Sequence, residues 1–161
     1  MMRVLLDTSA LNWLADHADS RAKILAAVEN GRLEVLVTPE AAVEIRNTEG
    51  PERQAALEDV LAAFVPLTKT RVPRLGAFRL GSARVSLPED SARLAKLAFL
   101  KDGQDRNLAA NAGGYRCDAF VTCDKEMAVR KRQQLEIVLD GTRVLQPDEL
   151  LRQLADTDQA T

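Results

Sequence analysis

The chain has 161 residues, a length that suits one domain able to bury an ordinary core. Hydrophobic residues make up 46% and charged residues 29%, which excludes a disordered chain, and aromatics at 4% leave Leu, Val and Ala to build the interior. With 22 Lys+Arg against 24 Asp+Glu, the formal net charge of -2 excludes nucleic-acid binding by bulk positive charge, though not local contact through a bridging cation.

The longest apolar run, residues 60–65, falls far short of the about 20 residues a membrane span needs. The acid at position 7 comes too early for a signal-peptide core, so a cytoplasmic location without membrane attachment is expected. Cys117 and Cys123 flank an apolar strand. At about 3.3 Å per residue they stand roughly 20 Å apart, beyond the reach of a disulfide, and both are expected as reduced thiols. One His and two distant Cys make no zinc set.

In chain order, residues 4–6 form an apolar run that reads as a buried strand and stops at Asp7. Thr8 or Ser9 is placed to cap a short helix through Leu14, and Ser20 to cap a second that ends at Gly31. The next strand is Leu33–Val37. Thr38-Pro39-Glu40 then combines a cap, a first-position proline and a first-turn acid, starting a helix to about Asn47. Pro51 opens a helix with Leu57, Val60, Leu61 and Phe64 on one face, closed by Pro66. Residues 66–86 are irregular and hold Lys69, Arg71, Arg74, Arg79 and Arg84 without an acid.

Ser86-Leu87-Pro88-Glu89 is a capping box for a helix through Leu100. Asp102 caps another through Ala112, ended by Gly113-Gly114. Ala119–Val121 reads as a buried strand, residues 125–133 as a helix, and residues 135–139 as a strand. Pro147 opens a last helix. Residues 1–155 form the domain and 156–161 a flexible tail. Strands alternating with amphipathic helices predict an α/β fold with a mostly parallel sheet, whose ligands sit beyond the carboxyl ends of the strands.

Two acids, Asp7 and Asp124, fall at such strand ends. Asp105 is the third residue of the helix capped by Asp102, where the dipole alone favours an acid. The small residues after Leu108 let that helix lie close to the sheet. Glu44 shares a helix face with Glu40, a like-charge spacing that costs a few tenths of a kcal/mol and that a bound cation would offset. Each acid has a plain alternative as a cap or a solvated side chain. Gathered together, they would repel one another unless a cation neutralised them, and hard oxygen ligands select Mg²⁺ or Mn²⁺. Such an ion can activate water against a phosphodiester without a His, Ser or Cys nucleophile. His17 has no evident partner and is expected on a helix-end surface.

Four segments in order, 5–11, 38–45, 105–112 and 118–125, resemble the four motifs of PIN-domain nucleases, and 144–150 is similar to the family's last strand and helix. The resemblance implies a three-layer, Rossmann-like PIN domain with a five-stranded, mostly parallel sheet flanked by helices. It also implies an RNA-cutting enzyme. Asp7, Asp105 and Asp124 correspond to ligands of Mg²⁺ or Mn²⁺, and Glu44 to an acid that binds through water or orients the nucleophile. Thr122, with Thr8 or Ser9, corresponds to hydroxyls that steady the site. Many family members are VapC-type toxins, which form homodimers and are held by an antitoxin protein, so a toxin of a toxin–antitoxin pair is expected.

Within residues 66–86, Arg71 and Arg74 are the candidate RNA contacts. The competing reading is a catalytically silent PIN-like module that binds RNA or protein, which the presence of all four acids opposes. A phosphoacceptor receiver domain would need paired acids after the first strand, and none follows Asp7 before Asp16.

Overall fold

The computed structural model describes residues 1–46, 50–66 and 88–159. Five strands, β1 (Met2–Leu6), β2 (Leu33–Val37), β3 (Val65–Pro66), β4 (Ala119–Val121) and β5 (Arg143–Leu145), form one parallel sheet in the order β3-β2-β1-β4-β5. The chain winds outward from β1 to β3, then restarts beside β1 at β4. The carboxyl ends of β1 and β4 therefore flank the point where winding reverses, and parallel sheets leave a crevice there.

Side-chain alternation along each strand sorts the core into two layers. Val4, Leu6, Val35, Val37, Val121 and Leu145 face one side, against helices α1 (Thr8–Asp16), α2 (Ala18–Glu29), α3 (Pro39–Arg46), α4 (Pro51–Ala62) and α8 (Pro147–Gln159). Leu5, Leu36, Phe120 and Val144 face the other, against α5 (Pro88–Lys96), α6 (Gly103–Gly114) and α7 (Arg132–Val138). The three-layer α/β arrangement expected from the sequence is the one observed. No described helix is long and apolar enough to cross a membrane.

The count of five strands holds, but its membership differs. Residues 135–139, expected as a strand, lie in α7 and its cap. Leu135 and Leu139, four apart, are buried, while Ile137 between them is 80% exposed, which is helical spacing. Asp140 and Gly141 adopt positive φ of 48° and 95°, ending the helix so that the strand forms later, at β5. The fifth strand is instead the pair Val65–Pro66 at the sheet edge, where a proline costs no ladder bond.

Two caps move as well. Asp7, not Thr8 or Ser9, caps α1, because its carboxylate reaches the Ala10 N–H at 2.7 Å. Helix α2 starts at Ala18, ahead of Ser20. His17 ends α1 and accepts the Arg21 N–H at 2.9 Å, leaving no separate linker for Ser20 to close. His17 is exposed and stacks on Trp13. The last helix runs to Gln159, past Asp156 where a tail was expected, with Leu150 and Leu154 docking it to the sheet. Both cysteines are free.

Between β4 and α7, residues Glu126–Arg130 form a single π-helical turn, closed by the Lys131 N–H donating to the Glu126 carbonyl at 2.8 Å. The expected helix at 125–133 is thus split into this turn and the start of α7. Arg132 anchors it: its Nε donates to the Ala128 carbonyl at 2.7 Å, and its guanidinium forks onto both Glu149 oxygens at 2.9 and 2.5 Å. Glu149 also accepts the Gln146 N–H at 2.8 Å, capping α8 in capping-box fashion.

The Arg132 hydrogen bonds, then the Gln146 N–H, hold the Glu149 carboxyl below its ordinary value. A depressed folded-state pKa contributes stability that is present above the unfolded value of 4.5 and is lost as pH falls through the folded value. Glu149→Gln should therefore lower stability at pH 7 by about 1 kcal/mol, allowing for solvent screening. Melting curves across pH should show wild type and variant converging once pH drops below 4.5. A gap that persists in acid would assign the loss to packing.

Candidate active site

At the crevice, Asp7 follows β1 directly and is only 4% exposed. Its carboxylate collects three donors. One oxygen accepts the Ala10 N–H, both lie within 2.7–2.9 Å of the Ser9 hydroxyl, and the second accepts the Thr122 hydroxyl at 2.5 Å. Ser9 in turn accepts the Cys123 N–H at 2.9 Å, and the Thr122 oxygen accepts the Asp124 N–H at 3.0 Å. These bonds lace the end of β1 to the end of β4 beyond the last ladder pair, Leu6 opposite Val121. Burial pushes the Asp7 carboxyl up, the hydroxyl and amide donors pull it back, and the charge of Asp124 raises it again.

Asp124 leaves β4 through this lace, and its carboxylate accepts the Glu126 N–H at 2.6 Å at the mouth of the π-turn. Asp105 enters from α6. Asp102 caps that helix, accepting the Gln104 and Asp105 N–H groups at 2.6 and 3.3 Å. Buried small residues Ala109, Ala110, Ala112 and Gly113 bring α6 down onto the sheet. Asp105 is half-buried, and no hydrogen bond to its carboxylate exists among the described residues. Burial first, then the charges of Asp102, Asp124 and Asp7, push its carboxyl up to about 6. The structure thus brings Asp7, Asp105 and Asp124 within electrostatic reach of one another.

Glu44 falls in α3, and its side chain lies outside what the structure describes. Arg71 and Arg74 lie outside the described residues altogether. Of the expected hydroxyls, Ser9 and Thr122 join the network. Thr8 makes no bond to it among the described residues; its carbonyl accepts from Asn12 within α1 at 3.0 Å. Sequence reasoning assigned no role to Asp148, which opens α8 just after β5. Its charge, like that of Asp7, reaches the Cys123 thiol, which burial holds near 11. The signal was present: an acid just past a strand end, in the first turn of a helix.

Among the described residues, no three acidic, imidazole or thiol groups stand close enough to grip one ion directly. The chemistry of the set still fits a hard divalent ion. Its donors are oxygens, and Asp105 carries a carboxylate that no donor satisfies among the described residues and that neighbouring acids repel. Such ions are held by one or two carboxylates and complete their shells with water.

Residues 3–126 match the family model of the PIN domain. The chain belongs to the PIN-domain family. PIN domains are generally nucleases, typically use divalent metals and bind nucleic acid. Among solved structures, this PIN domain is similar to the crystal structure of PAE2754 from Pyrobaculum aerophilum, at 21% identity over 96% of each chain with a TM-score of 0.53, a likeness that speaks for the fold. No curated protein matches the chain.

The lace makes a prediction that separates charge from structure. Asp7→Asn keeps a cap as good as Asp and an oxygen for the hydroxyls, so its melting temperature should stay within a few degrees of wild type. Asp7→Ala removes the cap and strands buried hydroxyls, which should cost about 2–4 kcal/mol in denaturant unfolding. Equal losses for the two variants would show that the charge itself holds β1 to β4.

Proposed function

We propose that this PIN domain is an endoribonuclease that hydrolyses RNA phosphodiesters with Mg²⁺ or Mn²⁺. The carrying observation is the half-buried Asp105 carboxylate, which no donor reaches among the described residues, and whose carboxyl burial and the nearby charges of Asp102, Asp124 and Asp7 raise to about 6. An unpaired, mutually repelled acid in a nuclease fold is best explained by a cation that completes it. Asp105 and Asp124 would hold the ion, Asp7 would join them through its remaining lone pair or through water, and Glu44 would orient the attacking water. When bound, the ion lowers the pKa of that water and offsets charge on the phosphoryl oxygens. Ser9 and Thr122 fix the Asp7 carboxylate, and the Asp102 cap fixes the first turn from which Asp105 projects.

The same reading extends to biology. We propose a toxin of the VapC type, cytoplasmic, a homodimer, and restrained by a small antitoxin protein. Support comes from the family's four acids standing in order. Growth arrest on expression, relieved by the product of a neighbouring small reading frame, tests it.

One observation favours the alternative, a catalytically silent module that binds RNA or protein: no three described ligand groups are poised to grip an ion as they stand. Metal titration decides between them. A ligand present at 100 times its dissociation constant stabilises the folded state by about 2.7 kcal/mol. Millimolar Mn²⁺ should therefore raise the wild-type melting temperature by roughly 5–10 °C. Asp105→Asn should lose that rise and lower the RNA cleavage rate by about a hundredfold or more, since the ion contributes several kcal/mol. No shift in either protein and no metal-dependent cleavage would favour the silent module.

A further inference from the structure

The carboxyl pole of this sheet presents a physical conflict. Asp7, Asp102, Asp105, Asp124 and Asp148 all sit at strand ends or first helical turns on that side, and the whole chain is net negative. A polyanionic substrate is repelled from such a pole unless cationic side chains lie along its path. The π-turn supplies them. Lys125 directly follows Asp124 and is exposed, and Lys131 closes the turn. Neither lysine has an ion pair among the described residues. Arg130, 78% exposed, is held by Glu126 at 3.2 Å, a solvent-exposed pair of small worth that a phosphate can displace.

Arg132, by contrast, is spent on Glu149 and the Ala128 carbonyl, so it anchors the turn rather than faces solvent. The turn itself is a rare backbone form. This one is clamped in place by Arg132. Lys125, Arg130 and Lys131 thus lie within seven consecutive residues that begin beside Asp124.

We propose that Lys125, Arg130 and Lys131 form a backbone track on the π-turn that holds consecutive phosphates of single-stranded RNA as the strand enters the acidic crevice. The contacts are to phosphate, so they carry no base preference. The proposal rests on the nuclease reading only for the identity of the ligand, because the track itself needs no metal.

The test is binding of a fluorescein-labelled oligo(U) and an oligo(A) of equal length, measured by anisotropy in EDTA over a range of salt. Lys125→Gln/Lys131→Gln should weaken both RNAs alike, roughly ten- to thirtyfold at 0.1 M salt, and flatten the plot of log affinity against log salt by about 1.4. Arg116→Gln/Arg143→Gln removes the same two charges at the opposite, amino end of the strands and should leave the slope unchanged. Melting curves should show both double variants folded. An unchanged slope in the lysine variant, an equal change in the arginine variant, or no RNA binding by wild type at low salt each overturns the track. If the lysine effect appears but Mn²⁺ elicits no cleavage, the track stands and the nuclease reading falls.

Discussion

The buried carboxylate of Asp7 is the joint on which the site depends. The β1–β4 ladder is only three residue pairs long, ending at Leu6 opposite Val121. Past that point the backbones diverge, one into α1 and the other toward the π-turn. Asp7 continues the connection with side chains: Ser9 from its own strand end, Thr122 from the neighbouring one, and Cys123 through Ser9. Burying a carboxylate is costly, and burial is the leading influence raising its pKa. Three donors offset that cost. The result is an acid whose position is fixed from two strands at once, so that Asp124, two residues beyond Thr122, is fixed with it.

This joint was partly legible in the sequence. An apolar run stopped by Asp7, and another followed by Thr122 and Asp124, placed both acids at strand ends without any fold in hand. The sequence did not reveal that Asp7 would itself cap α1. Thr8 and Ser9 are equally good caps, and the choice between them is made by the hydroxyl of Thr122, 115 residues away, which holds the Asp7 carboxylate where it can reach Ala10. Asp105 was singled out by spacing, but the lack of a donor to its carboxylate among the described residues depends on where α6 settles on the sheet.

The misread strand at 135–139 has a similar cause. Leu135, Ile137 and Leu139 alternate as a half-buried strand would, and the same leucines stand one helical turn apart. Five residues cannot distinguish period 2 from period 3.6 when both place Leu135 and Leu139 on one face. The deciding signal was Asp140-Gly141, which fits a hairpin turn and a helix end equally well. The structure uses it as the helix end, and Glu136, which would have pointed away from a strand's buried face, instead accepts the Val144 N–H at 2.9 Å and ties α7 to β5.

Each described acid of the site also sits where local structure favours an acid. Asp7 caps α1, Asp124 binds the Glu126 N–H, and Asp105 sits in the first turn of α6 behind the Asp102 cap. This overlap follows from the architecture. In a parallel sheet the chain leaves each strand at its carboxyl end and returns through a helix whose amino end lies at that same pole. Helix amino ends present unpaired N–H groups and partial positive charge, so they select acids for purely local reasons. A fold of this kind therefore collects carboxylates on one side before any chemistry is asked of them. What marks out a functional group among them is an acid that the local tasks leave over. Asp7 and Asp124 are satisfied by amides and hydroxyls. Asp105 is not, although Asp102 already meets the capping need of its helix. Among the described residues no donor reaches its carboxylate, and burial together with the charges of Asp102, Asp124 and Asp7 raises it.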